Sequence, residues 1–319
     1  MKRGFSLIEI AAAIAIAGLI TAAALSSTVM LQRSFVANRK RVAQSDDVRI
    51  TVEHVLARVR NAGGGPLRPW QAVSLSCNDD PVHPLPPCAP RQGRLHVVQV
   101  DPRVAGTITS VSGTRVNVAT SGGVCPIPTA TTLVPVVYVP AERHLSALGG
   151  AAWRTGLCLP LPSGCGCTVA TATKVVGFSV PGTSTPLTDA MFADGAIVGA
   201  RVSSYFIDND ARTLQVLTDL QKIGVAEVTA LMPTATAFEA RLGYDVDGDG
   251  VLETPLRATQ HPTAPNALRS VRVGLALTSV AADTTTRPAP WFGGEIRVPG
   301  SMVLSLEGTA FMRASGLFQ

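Results

Sequence analysis

Charged and aromatic residues are both scarce in this chain. Of its 319 residues, 15% are charged and 5% are aromatic, whereas 46% are hydrophobic. A chain so apolar can bury a core, and its low charge is not typical of a disordered protein. The net charge is +5, and the one basic cluster is Arg39–Arg41. No basic stripe is interleaved with aromatic side chains, so we do not expect nucleic-acid binding.

Sequence motifs of catalysis are also missing. The chain contains no H-E-x-x-H, G-x-S-x-G, P-loop or G-x-G-x-x-G pattern. No pair of carboxylates is marked as an acid/base couple, and none of the histidines lies in a metal motif (His54, His83, His96, His144 and His261). We therefore expect that the protein is not an enzyme.

Cysteine is confined to the region after residue 70. The six cysteines are Cys77, Cys88, Cys125, Cys158, Cys165 and Cys167. An even number behind an N-terminal export signal favours disulfides, whereas a zinc site is the minority interpretation because there is no C-x-x-C pair. Cys77 and Cys88 flank a proline-rich loop and are expected to close it. A bond between Cys165 and Cys167 would be strained, which leaves Cys125 and Cys158 to pair with them in an order that stays open.

The N-terminus combines a long apolar run with one misplaced charge. No charged residue lies between Ile10 and Gln32, a stretch long enough to cross a bilayer as a helix. Glu9 stands at the edge of this run. A carboxylate there costs free energy unless it is paired, which marks it as a functional candidate.

These residues resemble the prepilin signal of type IV pilins and pseudopilins. In that family a short basic leader ends in glycine, a dedicated peptidase cuts after it, and the new N-terminal residue, commonly phenylalanine, is methylated. Cleavage between Gly4 and Phe5 would place Glu9 at the fifth mature position, where the family has glutamate. The resemblance implies that the Glu9 carboxylate meets the terminal amine of a neighbouring subunit in the filament. Such a buried pair selects register more than it adds stability.

The alternative is a conventional secretory signal peptide. Its basic start and apolar run fit, and Ala22–Ala24 provides small residues for cleavage. Against it, a carboxylate at Glu9 has no use in such a signal. The helical pattern also continues beyond the run, with apolar residues at three- and four-residue spacing at Val48, Val52, Val55, Leu56 and Val59.

We predict an α+β fold with a pilin-like long helix packed on a mostly β head. The predicted segments are a leader at residues 1–4, a membrane or filament-core helix at 5–33, an amphipathic half at 34–62, and a β-rich head at 63–319. Gly63–Pro66 ends the helix. Within the head, a cysteine-containing insertion is expected at about 77–167.

Short runs rich in valine predict the strands of the head. They are Leu95–Val100, Val134–Val139, Ala196–Val202 and Val271–Leu277. Two further runs, Glu295–Val298 and Met302–Glu307, predict a closing hairpin around Pro299 and Gly300.

An alternating acidic loop is the one candidate metal site. Asp245, Asp247 and Asp249 are followed by Gly250, like the first half of an EF-hand loop. The Val251 carbonyl and Glu253 are candidate further ligands, so we expect a structural Ca²⁺. Position twelve is Leu256, where a full EF-hand needs glutamate, which favours a shortened loop between strands. The alternative is a solvated Asp/Gly turn without a metal.

The C-terminal third resembles PilW-type minor pilins. The resemblance rests on Arg241–Gly250 and Ala267–Leu277, with Phe311–Arg313 as a closing element. It implies a minor pilin that primes assembly of the type IV pilus, with the tip as one location. The implied partners are other minor pilins, the major pilin, the prepilin peptidase and a PilY-type adhesin. The implied location is the inner membrane, with the head in the periplasm, and then the pilus.

Two other functions compete with this one. A minor pseudopilin of type II secretion has the same N-terminus, and the genes next to it would separate the two. A secreted protein with a conventional signal peptide would have a mature N-terminus near residue 25, whereas a pilin begins with methylated Phe5.

Overall fold

The computed structural model describes most of the chain. The described residues are 7–63, 67, 72–76, 94–127, 134–145, 152–169, 175–177, 188–208, 211–218, 227–253, 267–278, 286–292, 294–299 and 303–311. They form two compact units, Met1–Asp47 and Val48–Gln319.

One helix and fifteen strands account for most of the regular structure in these ranges. The helices are α1 (Leu7–Arg60) and the single turn α2 (Glu142–Leu145), with a 3-10 turn at Asp189–Phe192. The first strands are β1 (Val73–Ser76), β2 (Arg94–Ser112), β3 (Arg115–Val118), β4 (Val134–Val139), β5 (Ala152–Pro160), β6 (Gly166–Val169), β7 (Val175–Gly177) and β8 (Ala196–Asp208). The others are β9 (Thr213–Thr218), β10 (Glu227–Pro233), β11 (Ala235–Tyr244), β12 (Leu268–Thr278), β13 (Thr286–Trp291), β14 (Gly294–Pro299) and β15 (Val303–Phe311).

The predicted long helix and β-rich body are confirmed. Helix α1 is continuous for 54 residues and is long and apolar enough to cross a membrane. It ends where the glycine run begins: Gly63 has a φ of 79° and donates its N–H to the Val98 carbonyl. A left-handed glycine just after a helix is a common stop.

The last turns of α1 supply one face of the main core. The apolar residues at three- and four-residue spacing from Val48 to Val59 are all at most 2% exposed. They pack with residues of β1, β2, β8, β9, β11, β12 and β15. Gly308 on β15 lets the helix approach closely, because a Cβ there would collide with Leu56 and Val52.

Six strands of the large sheet close into a barrel, which the sequence did not predict. The pairings run β2–β3–β6–β5–β4–β8, and β8 pairs back with β2. Backbone direction confirms the closure: Thr107 accepts from Ala119 beside β3, whereas Ile108 bonds Asp194 and Gly195 on the β8 side. The barrel has its own apolar core, which includes Tyr138.

The predicted insertion at about 77–167 contributes β2 to β5 and the start of β6 to this barrel. Its strands are hydrogen-bonded to β8, which lies outside the predicted limits. That this stretch is an insertion relative to a pilin head stays a prediction.

A three-stranded sheet, β11–β12–β15, covers the other side of the main core. Its inward side chains come from alternate positions of β12, at Val271, Val273, Leu275 and Leu277. On its outer face, Trp291 and Phe292 pack on Ala237 and Ala276.

The predicted closing hairpin is wrong. Strand β14 pairs with β13, whereas β15 pairs along its whole length with β12. The prediction failed because β13 was not recognised as a strand in the sequence. It contains Pro288 and Pro290, and proline normally argues against a strand. The true turn lies at Trp291 and Phe292, whose burial on the three-stranded sheet cannot be inferred from neighbouring residues.

Candidate functional site

The membrane-length part of α1 is apolar and exposed. Its large side chains are solvent-facing from Leu7 to Val36: Leu7, Ile8, Ile10, Ile14, Ile16, Leu19, Ile20, Leu25, Val29, Met30, Leu31, Phe35 and Val36. A soluble helix hides one apolar face in its own protein. An exposed all-round apolar surface of this size instead calls for lipid or for other helices.

The hydroxyl groups within this run are satisfied inside the helix. Thr21, Ser27 and Thr28 donate to the carbonyls four residues earlier, at 2.8, 2.9 and 2.9 Å. Because each unsatisfied polar group in hydrocarbon costs several kcal/mol, about the loss of a full hydrogen bond, this arrangement suits a lipid or filament-core environment.

The predicted processing residues and the predicted assembly residue lie at the start of the chain. Gly4 and Phe5 lie outside the described residues. Glu9 lies in the first turn of α1, and its side chain is outside the description. Their predicted roles stay predictions.

The acidic loop follows β11 directly. The carboxylates of Asp245, Asp247 and Asp249 each offer one oxygen, and these three oxygens lie within 4.8 Å of one another. Gly248 and Gly250 have φ values of 78° and 83°, so the backbone turns back on itself at positions where glycine carries no steric cost.

Hydrogen bonds hold the loop in shape. The Asp249 N–H donates to Asp247 Oδ1 at 3.2 Å, and the Val251 N–H donates to Asp249 Oδ1 at 2.7 Å. Glu253 Oε1 accepts the Val246 N–H at 2.8 Å and so ties the end of the loop to its start.

Asp245 is the residue that departs from a plain turn. It is 9% exposed, and its Oδ1 atom is buried without a hydrogen-bond partner. Its other oxygen lies 3.8 Å from Arg269 Nε, an ion pair in which the arginine side chain is half exposed. A buried, unsatisfied carboxylate oxygen is costly, and a cation would compensate for it.

The geometry of this cluster fits calcium. Ca²⁺ binds oxygens at about 2.4 Å, so two oxygens on one ion lie at most about 5 Å apart. The three aspartates meet this limit. Glu253 is not part of the cluster of three, and its role as a ligand, like that of the Val251 carbonyl, stays a prediction.

Tyr244 forms the inner side of the loop. Its carbonyl accepts the Glu253 N–H at 2.9 Å, while its ring lies in the main core. Burial raises the pKa of the Tyr244 hydroxyl well above its ordinary value.

No protein-family model, curated protein or solved structure matches this chain.

The described cysteines form two pairs at disulfide distance. Cys125 pairs with Cys165 and Cys158 with Cys167, each with 5.3 Å between the Cα atoms. Cys165 and Cys167 thus bind different partners, as their close spacing predicted, and the order that the sequence left open is decided. Both bonds belong to the barrel, where Cys158 and Cys167 join β5 to β6 inside its core. Cys77 and Cys88 lie outside the described residues.

Sequence reasoning missed a polar cluster around Trp291. The indole N–H donates to Glu239 Oε2 at 2.7 Å, and the other oxygen of that carboxylate accepts from Arg241 at 2.8 Å. The Arg241 guanidinium also lies 4.2 Å from the centre of the Phe292 ring. The signal that could have found the cluster is the adjacent pair of large aromatics, Trp291 and Phe292, in a chain that has few aromatic residues.

Proposed function

We propose that this protein is a PilW-type minor pilin, a non-enzymatic subunit that primes assembly of the type IV pilus. The observation that carries the proposal is that the two ends of α1 have different surroundings. One unbroken helix presents an exposed apolar surface over its first turns, and contributes Val48–Val59 to the core of the head. A pilin needs one helix that both anchors the protein in the membrane and contributes to the core of its head.

The proposed cycle follows from these two ends of the helix. Before assembly the apolar part lies in the inner membrane with the head in the periplasm. The prepilin peptidase removes residues 1–4, and the same helix then packs among those of other minor pilins and the major pilin. An adhesin of the PilY type is a further partner, and the pilus tip is one location of the assembled subunit.

Within the bundle, Glu9 is proposed to neutralise the terminal amine of a neighbouring subunit. A charge in an apolar bundle persists only when it is paired. The interaction therefore favours one axial offset between subunits over others.

The mature N-terminus tests the pilin-like part of the proposal, which a type II pseudopilin would share. The full chain is produced together with a prepilin peptidase, purified from membranes and analysed by mass spectrometry. We expect a mature protein that begins with N-methylated Phe5. Cells without the peptidase, and the Gly4→Val variant, provide matched controls that should retain Met1. A mature protein that starts near residue 25 would instead establish the secreted-protein alternative.

We also propose that the acidic loop holds one structural Ca²⁺. Asp245, Asp247 and Asp249 would supply carboxylate oxygens, with Glu253 and the Val251 carbonyl as further candidates. The support is the unsatisfied Asp245 oxygen beside two exposed carboxylates. The ion would fix the loop at the end of β11 and take no part in a reaction.

A further inference from the structure

The ribbon formed by β13 and β14 is fixed to the head at its turn. Trp291 donates its indole N–H to Glu239, and the Phe292 N–H donates to Glu307 on β15. The Arg241 guanidinium also lies over the Phe292 ring, with its Cζ atom 4.2 Å from the ring centre. These contacts hold the turn against the three-stranded sheet, so the strands of the ribbon are presented in a defined position.

Proline determines which backbone groups of the ribbon face outward. Pro288 lies opposite Arg297, and Pro290 lies opposite Glu295. Opposite residues in an antiparallel ladder alternate between pairs that exchange two hydrogen bonds and pairs that exchange none. Because proline has no N–H, these two pairs must be of the second kind, and their backbone groups point away from the ribbon.

The two outer edges of the ribbon are therefore unequal. The β13 edge is blocked by its two prolines, which is a common protection against unwanted strand pairing. The β14 edge offers the N–H and C=O groups of Glu295 and Arg297. In the described part of the chain no other strand pairs with β14, and both side chains are exposed.

We propose that this edge pairs with the same edge of a second copy of the chain. The two β14 strands would run antiparallel about a two-fold axis at Ile296. Glu295 of each copy then lies directly opposite Arg297 of the other. The outward backbone groups of these residues form the hydrogen-bonded pairs that an antiparallel ladder requires.

Charge selects this register over its neighbours. A shift by two residues keeps the hydrogen-bond pattern but places Glu295 opposite Glu295, or Arg297 opposite Arg297. Opposite charges facing each other across strands are favourable, and like charges are unfavourable. The edge is thus complementary to itself in a single register, and a second copy is its natural occupant.

Pairing of the two β14 strands would enlarge the two-stranded ribbon. A two-stranded ribbon is marginally stable, whereas two joined ribbons form a four-stranded sheet. Such a contact between identical surfaces is closed and does not propagate into a fibre. The inference does not rest on the proposed function, and would hold for any location of the protein.

Charge exchange between copies tests the proposal. Two differently tagged full-length copies are produced together, solubilised in detergent, and one tag is used to recover the other. With native copies we expect co-recovery. Glu295→Arg in both copies faces arginine with arginine, and Arg297→Glu in both faces glutamate with glutamate. Each should lower co-recovery about tenfold, since two opposite-charge pairs become two like-charge pairs.

The decisive sample mixes the two variants. A Glu295→Arg copy and an Arg297→Glu copy restore both opposite-charge pairs, so co-recovery should return to the native level. The double variant with both changes in each copy should behave in the same way. A matched control reverses the exposed ion pair of Arg143 and Asp194, whose nitrogen and oxygen lie 2.9 Å apart far from β14 in sequence, and should change nothing.

Two results would overturn the inference. One is the absence of co-recovery with native copies across the accessible concentration range. The other is a mixed sample that stays as low as the single variants although the unfolding transition of each variant matches that of the native protein, because complementary charges would then have failed to restore the pairing.

Discussion

At the scale of single residues, the most informative position is Asp245. Its place in the alternating acidic motif was visible in the sequence, and its burial was not. The structure leaves one of its oxygens without a hydrogen bond, whereas Asp247 and Asp249 are exposed. This difference supports the calcium proposal over a plain solvated turn, because a buried carboxylate oxygen without a hydrogen bond is costly in the absence of a cation.

We predict that calcium stabilises the full chain in detergent. A ligand at one hundred times its dissociation constant adds about 2.7 kcal/mol to the free energy of unfolding. For a domain of this size the melting temperature should rise by roughly 5 to 10 °C relative to a chelator, measured by thermal unfolding.

Asp247→Asn should remove most of this calcium-dependent shift without disturbing buried groups. The matched control is Asp46→Asn, an exposed aspartate on α1, which should retain the shift. Equal melting temperatures in calcium and in chelator for the native protein would leave the loop as a plain turn.

At the scale of elements, α1 and β15 form the contact on which the head is built. The helix places Leu56 and Val52 against a strand residue that lacks a side chain, Gly308. The helix side of this contact follows from its three- and four-residue spacing. The strand side does not, because a glycine in a strand usually marks a bulge or a close backbone approach without naming the partner.

Gly308→Val should destabilise the head by about 1 to 3 kcal/mol, the usual effect of added bulk in a packed core. The measurement is thermal or chemical unfolding of the full chain. Thr309→Val is the matched control, since that side chain is exposed on the same strand.

A second substitution shows whether Gly308→Val destabilises the head through its contact with the helix or through a general effect on strand β15. Leu56→Ala makes room at the contact, so its cost should be smaller in the Gly308→Val background than in the native protein. Purely additive costs would show that the helix does not press on this glycine.

At the scale of the whole molecule, the helix joins two environments. Its N-terminal part is exposed and apolar and its last turns are buried in the head. Under the proposed function, membrane insertion would require only the apolar run, whereas filament assembly would require Glu9 in addition. The proposed function therefore predicts that a change at Glu9 alone affects filament assembly without affecting membrane insertion.

Glu9→Ala should leave the protein in the membrane and reduce its incorporation into filaments by at least tenfold. Losing one partner of a buried charge pair costs about 3 to 5 kcal/mol, because the neighbouring amine stays unpaired. The readouts are pilus number and co-purification of partner pilins. Glu53→Ala is the control, since Glu53 is an exposed carboxylate of the same helix paired with Arg60. Unchanged assembly with Glu9→Ala would contradict the proposal.

The sequence by itself determined the features that depend on near neighbours. The apolar run, the spacing from Val48 to Val59, the strands around Val134–Val139 and the aspartate–glycine loop all follow from periodicity or turn chemistry. Each of these signals lies within a few residues of the structure that it specifies.

Only the tertiary structure decided the pairings between distant segments. The closure of the barrel by β2 and β8, the choice of Cys165 for Cys125, and the pairing of β15 with β12 join residues far apart in the chain. Many pairings satisfy the same local pattern, and the one that forms is selected by packing around shared cores. The burial of Asp245 was likewise decided by the tertiary structure, because it depends on which distant parts of the chain cover its side chain.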